Sequence, residues 1–272
     1  NNNARRTGSH LPLTEDEMRK VAPSIFAEGK HSSRSGRYTY IPTIDVLRGL
    51  RKEGFEPFMV AQGSSRIEGK AEFTKHMIRM RHAGEVKARD EANEIILINS
   101  HDGASSYQMM AGRFRFICCN GLVVGDVVED FRVPHKGDVQ GEVIEGAFRV
   151  LDEFEAVDEA VDGMKTLQLS APEQMAFARA ALDLRFGERT EGQAPAPITP
   201  AQLLEARRIE DRDPSLWNTF QRVQEHTVRG GLAGRSAQGR RMSTRPVGSI
   251  DRSVSLNRAL WTLAEEMRKL KG

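Results

Sequence analysis

Apolar and polar positions change rhythm along this chain of 272 residues. In TIDVLRGLRKEG, starting at Thr43, the residues Ile44, Leu47 and Leu50 recur at helical spacing, with Thr43 as the expected cap and Gly54 as the stop. Short β-rich segments follow. FEPFMVAQGSS reads as a strand ending in a polar turn, and EFTKHMIRMRH (72–82) reads as a second strand. AGEVKARDEAN reads as a charged loop, EIILIN as a third strand, and SHDGAS as a hairpin turn because Asp-Gly favours the tight reversal. SYQMMAGRFRFICC returns as a long strand, and NGLVVGD adds an Asn-Gly turn and a short strand.

Past Gly137 the period becomes helical. Val139, Val143, Ile144, Phe148, Leu151, Phe154, Val157 and Val161 trace one long helix with an acidic outer face. SAPEQMAFARAALDLRFG is a second, with Ser170 as cap, Pro172 in its first turn and Gly187 as stop. After the Pro-rich GQAPAPITP come three more helical patterns: PAQLLEARRIED, SLWNTFQRVQEHTVRGG and SVSLNRALWTLAEEMRKLKG. LAGRSAQGRRMSTRPVGSI, between the last two, reads as a basic loop. The fold class is therefore α+β: a helix, then an antiparallel β-meander packed on a long helix, with a C-terminal helical region. The expected divisions are a flexible basic arm over 1–37, an α+β core over 38–190 and the helical region over 191–272. Within the arm, TEDE from Thr14 opens a short helix with a capping box to Glu17.

Composition narrows the class. No apolar run approaches the ~20 residues of a membrane span, and no signal segment opens the chain, so a cytoplasmic location is expected. Cys118 and Cys119 are adjacent, so on a strand they point to opposite faces, and neither a disulfide framework nor a zinc site is expected. The net charge of +2 hides an uneven distribution. Eight acids face one base between Gly141 and Gly163, and six arginines face one acid between Gln221 and Arg245.

No phosphate-cradling glycine loop is present, which argues against an ATP-driven motor, and no cofactor is implied. His101-Asp102 has the form of a metal-binding dyad, but Asp-Gly turn chemistry accounts for it without a metal. His76 and His82 stand about 20 Å apart by strand rise, too far to share an ion. The arginines carry more. Arg113 and Arg115 share one face of their strand, with Phe114 and Phe116 on the other; Lys75, Arg79 and Arg81 share one parity of theirs. In one sheet these five would form an outward stripe of cations suited to a phosphate backbone. Arg34 and Arg37 of the arm, beside Tyr38 and Tyr40, and Arg240 and Arg241 of the basic loop are further candidates.

Several stretches carry a resemblance: APSIFAEGKHSSRSGRYTYIPT, GFEPFMVAQ, TKHMIRMRH, EIILINSHDGASSYQMMAGRFRFICCNGLVVGD and TRPVGSIDRSVSLNRALWTLAEEM. Together they resemble a phage- and plasmid-associated bacterial family catalogued as a domain of unknown function, over nearly the whole chain from Ala22. The order helix, strand, strand, hairpin, long helix is also similar to the core of single-strand annealing proteins. That likeness implies rings or filaments holding single-stranded DNA in a basic groove along the sheet. The expectation is an ATP-independent single-stranded DNA binding and annealing protein of a mobile element, acting as a homo-oligomer, with host or element recombination proteins as possible partners. The alternatives are a regulatory or anti-defence module binding a host protein through Asp152–Asp162, and a metal-dependent nuclease using His101 and Asp102.

Overall fold

The computed structural model describes residues 3–6, 11–28, 41–64, 73–85, 91–101, 106–116, 120–124 and 131–272. The chain forms two compact units, Asn1–Glu155 and Ala156–Gly272. The boundary expected at 190/191 lies inside the second.

The first unit is built on an antiparallel sheet. Its strands are β1 (Asn3–Arg6), β2 (Phe55–Gln62), β3 (His76–His82), β4 (Glu91–Asn99), β5 (Tyr107–Arg115) and β6 (Asn120–Val123), in that spatial order, with β7 (Phe131–Val133) pairing the far half of β5. A register shift between Pro57 and Met59 marks a bulge in β2, at the strand's one proline. Every residue of β4 is buried, so both faces of this central strand are covered. Helix α2 (Thr43–Lys52) packs on β2, and α3 (Val139–Asp152) packs on β4, β5 and β7. Ile44, Leu47 and Leu50 are buried as their spacing requires. Gly54, at φ +88°, terminates α2 in a conformation that suits glycine. The close fit of α3 depends on Gly146, where an added Cβ would lie 2.3 Å from the Phe131 ring.

Two expectations for this unit change. Residues 11–28 of the predicted arm belong to the fold: α1 (Glu15–Val21) carries the Thr14–Glu17 capping box, and Leu13, Met18, Ile25 and Phe26 are buried. Burying such side chains stabilises a fold by about 1.5–3 kcal/mol each, enough to hold a short segment down. The predicted single long helix is two, α3 and α4 (Phe154–Thr166), separated at Glu153.

The second unit, into which α4 runs, is helical. It contains α5 (Ala171–Phe186), the short α6 (Pro200–Leu203), α7 (Leu216–Arg229) and α8 (Ile250–Lys271). Ser170 and Glu173 form a capping box at α5, Pro172 sits in its first turn, and Gly187 closes it at φ +83°. Trp217, Phe220, Phe177 and Trp261 meet edge to face in the core, with Phe220 at 5.7–6.2 Å from the other three. The basic loop is ordered as a hairpin, β8 (Ala233–Arg235) and β9 (Arg241–Ser243). Among the described residues, no helix is long and apolar enough to cross a membrane.

Candidate nucleic-acid interface and buried polar centres

Strand register decides where the sheet arginines point. Arg79 lies opposite Ile96, which lies opposite Met110, so these three share a face. Arg113 is three residues beyond Met110 and therefore faces the other way. The expected single stripe of Lys75, Arg79, Arg81, Arg113 and Arg115 is not formed. Arg79 and Arg81 occupy one face of the sheet, Arg113 and Arg115 the other, and Lys75 is half-buried just before β3.

The four arginines are also buried rather than outward-facing: Arg79 is 3% exposed, Arg81 2%, Arg113 6% and Arg115 9%. Their counter-charges come from β4. Glu94 accepts from Arg79 through one carboxylate oxygen and from Arg81 through the other, at 3.1 Å. Glu91 accepts from Arg113 at 2.9 Å, and Asn93 accepts from it at 2.7 Å. Arg79 also donates to the Leu122 carbonyl at 2.5 Å. The Arg81 guanidinium is stacked among Phe58, Phe114 and Phe116, 4.2–4.8 Å from their centroids. Phe114 of β5 thus packs on an arginine of β3, across the intervening β4, not simply in an apolar core.

A second polar centre gathers on the face that bears Tyr107. Thr43 does not cap α2 as its position in the sequence suggests; Pro42 stands at the N-cap. The Thr43 hydroxyl instead lies 2.9 Å from His76 Nε2, 3.0 Å from His101 Nε2 and 3.4 Å from the Tyr107 hydroxyl, and accepts from Asn99 Nδ2 at 3.0 Å. His76 Nδ1 is 2.9 Å from the Ser24 hydroxyl. His135 approaches within 5.0 Å of the Tyr107 ring, centroid to centroid. A hydroxyl has one proton to give, so at most one of the two histidine Nε2 atoms accepts from Thr43 and the other donates to it. Burial, reinforced by His101, pushes the His76 pKa down to about 3, so its ring is neutral at ordinary pH.

His101 of the predicted dyad is fully buried in this centre with Nε2 turned to Thr43, while Asp102 lies outside the described residues. So do Arg34, Arg37, Tyr38, Tyr40, Cys118 and Cys119. Among the described residues, no three His, Cys, Asp or Glu side chains are arranged to hold a metal ion. The Ser24–His76–Thr43–His101 chain was not legible beforehand, because its members are spread over 78 positions, 24 to 101, on four different elements or turns.

Exposed basic charge is found in the second unit. Of the six arginines between Gln221 and Arg245, Arg222 is buried and donates to the Asp211 carbonyl at 2.7 Å, and Arg229 pairs with Glu225 at 3.0 Å. The other four, Arg235, Arg240, Arg241 and Arg245, are exposed on the β8–β9 hairpin and the irregular segment that leaves it. None of the four pairs with a carboxylate in the described structure, and no acid occurs from Gly230 to Ser249. The hairpin is anchored at its base. Arg235 N donates to the Pro197 carbonyl at 2.9 Å, and Thr244 N donates to the Leu232 carbonyl at 2.9 Å. Gly234 passes so close to Pro197 that a Cβ there would lie 2.1 Å from the carbonyl oxygen. At the tip, Gly239 adopts φ +75° and donates to the Ser236 carbonyl. The result is a held two-stranded ribbon with arginines on an acid-free segment.

Comparison with known proteins gives relatives of high identity. The chain is 52% identical over 256 residues to the UPF0380 protein YafZ of Escherichia coli (strain K12), covering 94% of this chain and 92% of that protein. Similarity to the UPF0380 protein YfjQ of the same organism is of equal extent, at 52% over 256 residues. No solved structure matches. The family model described as "Domain of unknown function (DUF932)" matches residues 30–261, and with most of both units inside that match the chain belongs to the DUF932 family.

Proposed function

We propose that the protein is a nucleic-acid-binding protein whose contact with the phosphate backbone is made by the β8–β9 hairpin, through Arg235, Arg240, Arg241 and Arg245. The observation that carries this reading is the exposure of four arginines, unpaired with carboxylates, on a ribbon anchored at its base. An anchored ribbon has little backbone conformational entropy left to lose on binding, and guanidinium forks suit phosphate oxygens. The ligand class is single-stranded DNA, bound without ATP, and the activity is annealing or recombination for a phage- or plasmid-type element by an oligomer of the chain. The arginines of the sheet do not supply the contact surface; Glu91 and Glu94 already occupy Arg113, Arg79 and Arg81.

Fluorescence anisotropy with a labelled oligonucleotide tests this. Log affinity should fall linearly with log salt, and replacing Arg240 and Arg241 by Ala should flatten that slope by about 1.4, at about 0.7 per phosphate contact on a single strand. Failure to bind at low salt, or an unchanged slope in the double variant, refutes the hairpin as the contact surface.

A further inference from the structure

In the second unit, α5 and α8 leave an open furrow between them. It consists of two depressions of about 370 and 740 Å³ that share Leu184 and Ala259. The floor on α8 is a stripe at helical spacing: Arg252, Ser255 and Leu256, Ala259, Thr262 and Leu263, Glu266. Leu184 of α5, an apolar residue left 46% exposed, stands beside the centre of this stripe.

The charge along the furrow is polarised. One half is rimmed by Asp183, Glu188 and Glu266, with Lys269 bonded to Glu266 at 2.7 Å. The other half carries Arg185, Arg252 and Asp251. Arg185 donates to the Thr227 and Arg245 carbonyls, and its pKa is lowered by burial and by the nearby Arg252. Arg252 and Glu266 are each seven residues from Ala259, in opposite directions, and thus lie on the same face about 10 Å either side of it.

That symmetry is the signature of a surface complementary to itself. We infer that the α5–α8 furrow is a two-fold interface with a second copy of this chain, with α8 crossing its counterpart antiparallel at Ala259. A two-fold axis there sets Arg252 of each copy against Glu266 of the other, brings the small Ala259 residues together where the helices cross, and covers Leu184. An isologous contact of this kind closes on itself and gives a dimer. It specifies the self-association included in the proposed function but uses none of the hairpin arginines.

The test is sedimentation equilibrium of the full chain without nucleic acid, so its failure would leave the hairpin reading standing. The wild-type chain should show a monomer–dimer equilibrium. Arg252→Glu and Glu266→Arg should each weaken it by about tenfold, because two symmetry-related rim pairs are replaced by repulsion. The double variant Arg252→Glu/Glu266→Arg should restore it, since the swapped charges meet in trans. Ala259→Arg, at a half-exposed helix position, should give a monomer with unchanged far-UV circular dichroism. A chain that stays monomeric throughout the accessible concentration range overturns the inference, as does dimerisation that survives Ala259→Arg, or a double variant no better than the singles.

Discussion

Arg81 in the sheet and Arg241 in the hairpin carry the same guanidinium in opposite settings. Arg81 is 2% exposed, paired with Glu94 and enclosed by three aromatic rings. Arg241 is exposed and has no carboxylate partner in the described structure. A buried cation requires a fixed counter-charge because desolvation otherwise exceeds any local gain, so the sheet unit commits its arginines to holding strands together. An exposed cation retains its hydration and can exchange it for a phosphate at small cost. Residue type alone therefore says little about an arginine's role; the acid within reach decides it.

The largest break in this comparison should come from Glu94→Ala. It leaves two guanidiniums buried beside each other without their carboxylate, and should cost about 3–5 kcal/mol in urea unfolding. A loss below 1 kcal/mol would mean that the pair is solvated and that the contrast with the hairpin is false. The next effect concerns His76. Its folded-state pKa of about 3 lies below the unfolded value near 6.5, so the unfolded chain binds the proton more readily and stability declines as pH falls through that window. At about 1.4 kcal/mol per unit, His76 accounts for about 2 kcal/mol between pH 6.5 and 5. His76→Asn should remove that portion of the pH dependence, as read from urea midpoints at the two pH values; an unaltered dependence would show that the ring is not held neutral. The smallest effect should be on the hairpin, where Arg240→Ala/Arg241→Ala should shift stability by no more than about 0.5 kcal/mol. A larger loss would assign these arginines a structural role like that of Arg81.

Much of the fold was legible in the sequence. The period-two segments became β2 to β6, and the caps and stops at Ser170, Gly54 and Gly187 stand where local chemistry places them. The arginine surface was not, for a specific reason. Reading residues 83–93 as a loop started the third strand at Glu94, which left Glu91 outside the sheet, and without a register Glu94 was not set beside Arg79 and Arg81. The strand begins at Glu91, and its register with β3 and β5 places one carboxylate on each face. Alternation within Arg113–Phe116 was read correctly, but whether Arg113 shares a face with Arg79 depends on pairing, which alternation does not contain. The basic segment around Arg240 was visible in composition, whereas its hairpin geometry depends on contacts with Pro197 that lie far away in sequence.

The guanidinium of Arg79 lies against two glycines on adjacent strands. A Cβ at Gly112 would sit 2.6 Å from its Nη2, and one at Gly121 would sit 2.8 Å from its Cζ. Arg79, Glu94, Gly112 and Gly121 therefore constrain one another's substitution. An alanine at either glycine collides while the arginine remains, and at Gly112 it would also meet Ile96 Cδ1 at 2.8 Å; removing the arginine first leaves Glu94 with Arg81 alone. A lineage of this fold that abandons the buried ion pair therefore meets a cost at each of these four positions that depends on the state of the others, so the order in which they change is restricted.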